Sequence, residues 1–275
     1  MKTSVINVLR ICHYLSLDVV IGAVASSWMF WQMPDGQSSP NSATLLILGI
    51  STWIVYVFDR LLDNLKATPN DVRHEFYFRH QYYLQVLLII LFFIALALIL
   101  FLPYPVRWFG AFFSVLLIGY FWLLHKKPAD SAYHYYKEIL TAVLYALPVF
   151  GSAFAMKQHL GLGAYIAALN FVGLVHQSIL VFSVYESNEN PNAKNLARKI
   201  GSTNSRIWVV CIMLWMGISY LLADTPYLKQ VFFVEWLMAL ASMLIVFLPA
   251  YLSVNQRYRW LGEMVFWLPL CLIFF

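Results

Sequence analysis

Long apolar runs alternate along this chain with short polar punctuation. A helix needs about 20 residues to cross the hydrocarbon core of a bilayer, and there every backbone polar group must be satisfied within the protein. Nine stretches have the required length, at roughly 11–32, 42–63, 81–102, 105–124, 136–156, 161–186, 205–223, 230–252 and 258–275. Between them lies turn chemistry: "MPDGQSSPNS", "ATPND", "LPYP", "KKPADS", "NENPN" and "ADTP". The pattern predicts an all-α polytopic membrane protein: one bundle of about nine transmembrane helices filling residues 1–275, with no soluble domain.

Composition strengthens that reading. Of 275 residues, 61% are hydrophobic and 11% charged, a balance no soluble domain of this length could cover. The net charge of +5 is scattered through short loops instead of forming a patch, which argues against a nucleic-acid partner. Cys12, Cys211 and Cys271 lie in or beside apolar runs at no metal-ligand spacing and read as small buried hydrophobes. The first run carries His13 and Asp18 and no obvious cleavage site follows it, so it reads as a permanent span and not a signal peptide.

Lysine and arginine then orient the bundle. The N-terminus, the even-numbered loops and the helix ends facing them hold fifteen of the eighteen basic residues; the other side holds Arg107, Lys157 and Lys229. The positive-inside rule places the first side in the cytoplasm. The expectation is an integral protein of a bacterial inner membrane, with its N-terminus cytoplasmic and its C-terminus on the far side.

Candidate chemistry gathers at that side. "YVFDRLLD" closes the second run with Asp59 and Asp63 at i, i+4 on one helix face, where two carboxylates repel unless a cation lies between them. Either Arg60 and Lys66 neutralise a solvated helix end, or the pair holds a hard divalent cation, Mg²⁺ bridged to phosphate oxygens. The sixth run ends in "SVYESNENPNAKNLARKIG", with Glu186, Asn188, Glu189 and Asn190 ahead of Lys194, Arg198 and Lys199. Counting crossings puts both ends on one membrane face. Carboxylates for metal and cations for phosphate would suit a magnesium-bound diphosphate.

Here the chain resembles the UbiA superfamily of intramembrane prenyltransferases, whose layout is nine spans with acidic motifs ending the second and sixth. "YVFDRLLD" is similar to the later part of that family's first motif, and "NAKNLARKIG" to the segment after its second. "YYKEILTAVLYALP" resembles the segment whose lysine faces the diphosphate, here Lys137. The resemblance implies transfer of an isoprenyl group from an isoprenyl diphosphate to an aromatic or other lipophilic acceptor, with Mg²⁺ as cofactor and membrane lipid as surroundings. Asp59, Asp63 and Lys137 would be catalytic. Asp59, Asp63, Glu186 and Glu189 would serve the metal, and Arg60, Lys66, Arg73, Lys194, Arg198, Asn188 and Asn190 the diphosphate. Val55 and Tyr56 stand where the family's first motif opens with Asn-Asp, and the second cluster holds no aspartate. A second reading follows: a catalytically degenerate member acting as a lipid-binding or assembly subunit.

Three further features are weighed by chemistry alone. "NDVRHEFYFRHQYY" reads as a short amphipathic interface helix carrying Arg73, His74, Arg79 and His80, or as a cap over the diphosphate. Asp18 is expected to pair with His13, and His176 to be a hydrogen-bonded core histidine. Glu138, Glu235 and Glu263 carry no assigned role.

Overall fold

The computed structural model describes residues 10–66, 72–126, 133–157, 160–190 and 194–274, and among these every regular element is helical. We number the α-helices α1 Leu17–Trp31, α2 Ser42–Lys66, α3 Val72–Leu98, α4 Tyr104–Lys126, α5 Tyr133–Met156, α6 Leu162–Glu189, α7 Leu196–Ile200, α8 Ser202–Ser219, α9 Pro226–Phe247, α10 Pro249–Leu252 and α11 Arg257–Met264. A 3₁₀ stretch, Val265–Phe274, continues α11 toward the C-terminus. Seven of these helices (α2–α6, α8 and α9) are long and apolar enough to cross a membrane. The protein is therefore integral to a membrane. α1, with 15 residues, is shorter.

Turn chemistry sets the boundaries. Asn41 accepts hydrogen bonds at Oδ1 from the N–H groups of Ala43 (2.9 Å) and Thr44 (3.2 Å), capping α2. Thr225 caps α9 by accepting from Leu228 N–H at 3.2 Å, with Pro226 at the position where a missing N–H costs nothing. Two expectations are corrected. The first run is not one helix from 11 to 32: it turns at residues 15–16, where Ser16 adopts φ 55°. Nor is the Arg- and His-rich segment after α2 a separate interface helix. It is the opening of α3, because nothing between Val72 and Leu98 breaks the helical hydrogen-bond ladder. Arg79 pairs with Glu75 one turn back, as an exposed helix face allows.

α1, α5, α6, α9 and the terminal 3₁₀ stretch pack on one another as the inner layer, with α2 against α1, α3 against α2, α4 flanking α5, and α8 set against α6 and α9. α6 is the axis: 67% of its most apolar stretch is buried, against 6% for α3 and for α4. Small residues allow the closest approaches, as usual between helices in lipid. A Cβ on Gly22 of α1 would lie 2.7 Å from Phe266 Cβ, so the first helix and the last stretch meet backbone to side chain.

Hydrogen bonds identify the two ends of the bundle. At one end, Trp31 Nε1 donates to Ser152 Oγ (3.1 Å) and Thr225 Oγ1 to the Pro34 carbonyl (2.9 Å). Lys157 Nζ donates to the carbonyls of Trp31 (2.7 Å) and Met33. Burial pushes the Lys157 ammonium below its usual pKa. The other end carries the start of α1, the ends of α2 and α6, α7 and the start of α11.

Candidate functional site at the polar end of the bundle

The polar end is organised by a residue that sequence reasoning passed over. Asn195 is buried and caps α7: its Oδ1 accepts from Arg198 N–H (2.9 Å) and from Ser187 Oγ (2.7 Å), and its Nδ2 donates to the Ser183 carbonyl (3.1 Å). An Asn directly before "LARKI" was the available signal. Glu138, also buried, accepts from Leu196 N–H at 3.1 Å and so ties the start of α5 to α7. These bonds hold α7 across the end of α6. The loop they fix shapes a pocket of about 170 Å³, lined by Ser187, Asn188, Arg198, Gly201 and Ser202 among others. α8 begins there, so the start of that helix shares one concavity with Arg198, Asn188, Ser187 and Ser202. That is anion-binding chemistry.

Asn188 and Arg198, two of the expected diphosphate contacts, thus line one pocket. Glu186 has a different partner: its Oε1 receives Arg259 Nη2 of α11 at 2.6 Å. Arg259 also lies against the Tyr258 ring, which stacks on Tyr185 with centroids 4.2 Å apart. Tyr185 Oη donates to the Ile245 carbonyl at 2.7 Å. The acidic end of α6 is therefore clamped by α11. Glu189, Asn190 and Lys194 are exposed there, and the Asn190 N–H donates to the Glu186 carbonyl at 2.8 Å.

On α2, Asp59 is half-buried and Asp63 exposed. Arg60 is half-buried, with Nε lacking a hydrogen-bond partner. Lys137 is half-buried beside Glu138. The side chains of Lys66 and Arg73 lie outside the described residues. Among the described residues, the carboxylates of Asp59 and Asp63 and those of Glu186 and Glu189 do not converge into a group of metal-ligand type. The convergent group is His13, Asp18 and Glu263. The expected His13–Asp18 pair is present, at 2.5 Å; Glu263 had no assigned role.

Two apolar features complete the picture. An open groove of about 620 Å³ runs between α1, α2 and α3, lined by Leu17, Val24, Gly49, Trp53 and Leu87 among others. Trp53 lies six residues before Asp59, about 9 Å along the helix. Deeper in the bundle, Glu235 accepts from Asn170 Nδ2 at 3.1 Å, and Asn170 Oδ1 accepts from Trp215 Nε1 at 2.9 Å. His176 is buried with both ring nitrogens unpartnered and Trp208 edge-on at 6.3 Å, which corrects the expected hydrogen bonding. No family model, curated protein or solved structure matches the chain.

Proposed function

We propose that this chain is a UbiA-like intramembrane prenyltransferase, transferring an isoprenyl group from an isoprenyl diphosphate to an aromatic or lipophilic acceptor with Mg²⁺ as cofactor. In this reading α1 and the α11–3₁₀ segment are the first and ninth crossings. The N-terminus and the polar end face the cytoplasm of a bacterial cell, and the bundle lies in its inner membrane. The single observation that carries the reading is the anion-type pocket lined by Asn188 and Arg198, at the end of α6 where the acidic motif stands. The open apolar groove beside α2 has the chemistry of an isoprenoid chain.

The donor chemistry of Asp59 and Asp63 fits Mg²⁺, which keeps several waters and is commonly held by one or two carboxylates plus substrate phosphates. Glu186 fits less well, since Arg259 already neutralises it. When bound, the ion supplies charge for the departing diphosphate. The residues do the rest. Arg198, Asn188 and the first turn of α8 hold phosphate oxygens. Apolar walls keep water from the allylic centre as the C1–O bond breaks, the acceptor's electron pair bonds to C1, and the acceptor proton passes to bulk.

The test is labelled farnesyl or geranylgeranyl diphosphate with Mg²⁺ and purified protein, without an acceptor. Binding or slow diphosphate release is expected, weakened by Arg198→Ala and by Asp63→Asn; neither binding nor release would overturn the reading. The Glu186–Arg259 ion pair favours the second reading, a degenerate lipid-binding or assembly subunit. Isoprenoid binding that ignores both Mg²⁺ and Arg198→Ala would identify that case.

A further inference from the structure

His13 and Asp18 flank the turn at residues 15–16, and Ser16 there occupies a left-handed conformation uncommon for a residue with a Cβ. The turn lets two side chains five positions apart meet, with His13 Nδ1 at 2.5 Å from Asp18 Oδ2. Glu263 arrives from α11, near the other end of the chain, and brings Oε2 to 3.1 Å from the same nitrogen. The three ligand atoms lie within 4.8 Å of one another. His13 and Asp18 are 5% and 8% exposed, and the Glu263 side chain 11%.

The trio brings one imidazole nitrogen and two carboxylate oxygens, drawn from both ends of the chain, into one buried place. A dication bound there would take the place of the hydrogens these groups share and would balance both carboxylates.

We propose that His13, Asp18 and Glu263 bind a first-row divalent cation, zinc foremost, that fastens the N-terminal segment to the C-terminal one. One imidazole nitrogen with two carboxylate oxygens is a borderline set, suited to Mn²⁺, Fe²⁺ and Zn²⁺, and affinity rises toward zinc. Zinc sits about 2.0–2.2 Å from such ligands, which in a tetrahedral arrangement separates ligand atoms by about 3.3–3.5 Å. The His13 nitrogen stands 2.5 Å from Asp18 Oδ2 and 3.1 Å from Glu263 Oε2, both shorter than that value, so rotamer changes that spread the ligands admit the ion. Supporting bonds orient the ligands, as metal sites require. Asp18 Oδ1 accepts from Val19 N–H at 3.0 Å, and the Asp18 carbonyl from Trp267 Nε1 at 2.9 Å. The Trp260 ring lies against the His13 imidazole, with centroids 4.7 Å apart. None of these residues belongs to the proposed diphosphate site.

The test is metal analysis of the full-length protein purified in detergent without chelators. About one zinc per chain should survive dialysis, and chelator-stripped protein should regain thermal stability on adding Zn²⁺. Glu263→Gln and His13→Asn should each weaken zinc by more than the roughly 10–100-fold typical of losing an outer supporting group. Should those variants fail to fold, Co²⁺ added to stripped wild-type protein gives an independent readout, the visible absorption of a low-symmetry nitrogen–oxygen site. Wild-type protein that neither retains nor responds to Zn²⁺, Mn²⁺ or Co²⁺ would overturn the proposal and leave the trio held by a proton. Loss of the ion in Asp63→Asn but not in Glu263→Gln would also overturn it, by assigning the metal to α2.

Discussion

Two acidic helix ends share the polar end of this bundle, and they are built differently. The end of α6 is tied down: Glu186 to Arg259, Ser187 and Ser183 to Asn195, Tyr185 to the Ile245 carbonyl. The end of α2 leaves Asp63 exposed and Asp59 half-buried. The distinction follows from position. α6 is packed by α5, α8, α9 and α11, so a charge at its end has neighbours on several sides. α2 packs on α1 and α3, with only a slight contact to α5. Glu186, paired with Arg259, stabilises the fold, whereas the exposed Asp63 is open to a ligand from solvent.

The largest expected effect therefore lies on α6. Glu186→Ala leaves Arg259, whose side chain is 15% exposed, without its carboxylate. Removing one partner of a buried ion pair costs about 3–5 kcal/mol, and solvent at the Glu186 side reduces that here to about 2–3 kcal/mol. The reverse change, Arg259→Ala, strands only Glu186, which is 40% exposed, and should cost less. Thermal unfolding in detergent measures both, and equal losses would break the asymmetry.

Next comes the seam between the first and last segments. Gly22→Ala forces a methyl to 2.7 Å from Phe266 Cβ, which cannot rotate away. Overpacking of this kind costs about 1–3 kcal/mol, and about 2 kcal/mol is expected. Gly110→Ala on α4, where a Cβ meets nothing within 4 Å, should be neutral or slightly stabilising. A comparable loss at both sites would show that α4 is covered in the native membrane by a partner. At the opposite end, Lys157→Met removes the ammonium that binds the Trp31 and Met33 carbonyls, for about 1 kcal/mol in the same assay.

The sequence was most legible where one element decides the outcome. Apolar runs and turn residues located the long helices, and His13 with Asp18 was readable because five residues across a turn can touch. Contacts between distant elements were not readable. Nothing in "RYRWLGEM" says that Arg259 reaches Glu186, 73 positions earlier, or that Glu263 completes a trio with His13. The opening of α3 was misread for a related reason. Run length reports only the apolar stretch, whereas a helix continues as long as its hydrogen bonds do, here through Arg73 and Arg79. His176 was misread because a buried imidazole usually finds a partner.

The smallest expected effect is also the most diagnostic. Asp63→Asn keeps shape and hydrogen-bonding capacity but deletes one of two like charges at i, i+4. Relieving that repulsion should stabilise the ligand-free protein by about 0.2–0.5 kcal/mol. The sign is opposite to Glu186→Ala because Asp63 is exposed, whereas Glu186 neutralises a buried guanidinium. Adding Mg²⁺ with a diphosphate analogue should raise the melting temperature of the wild type and not of the variant, since only a ligand bound to the native state stabilises it by mass action. Variant and wild type would then exchange order when ligand is added. Superimposable curves with and without ligand would instead assign both helix ends to structure alone, and the contrast between them would reduce to degree of burial.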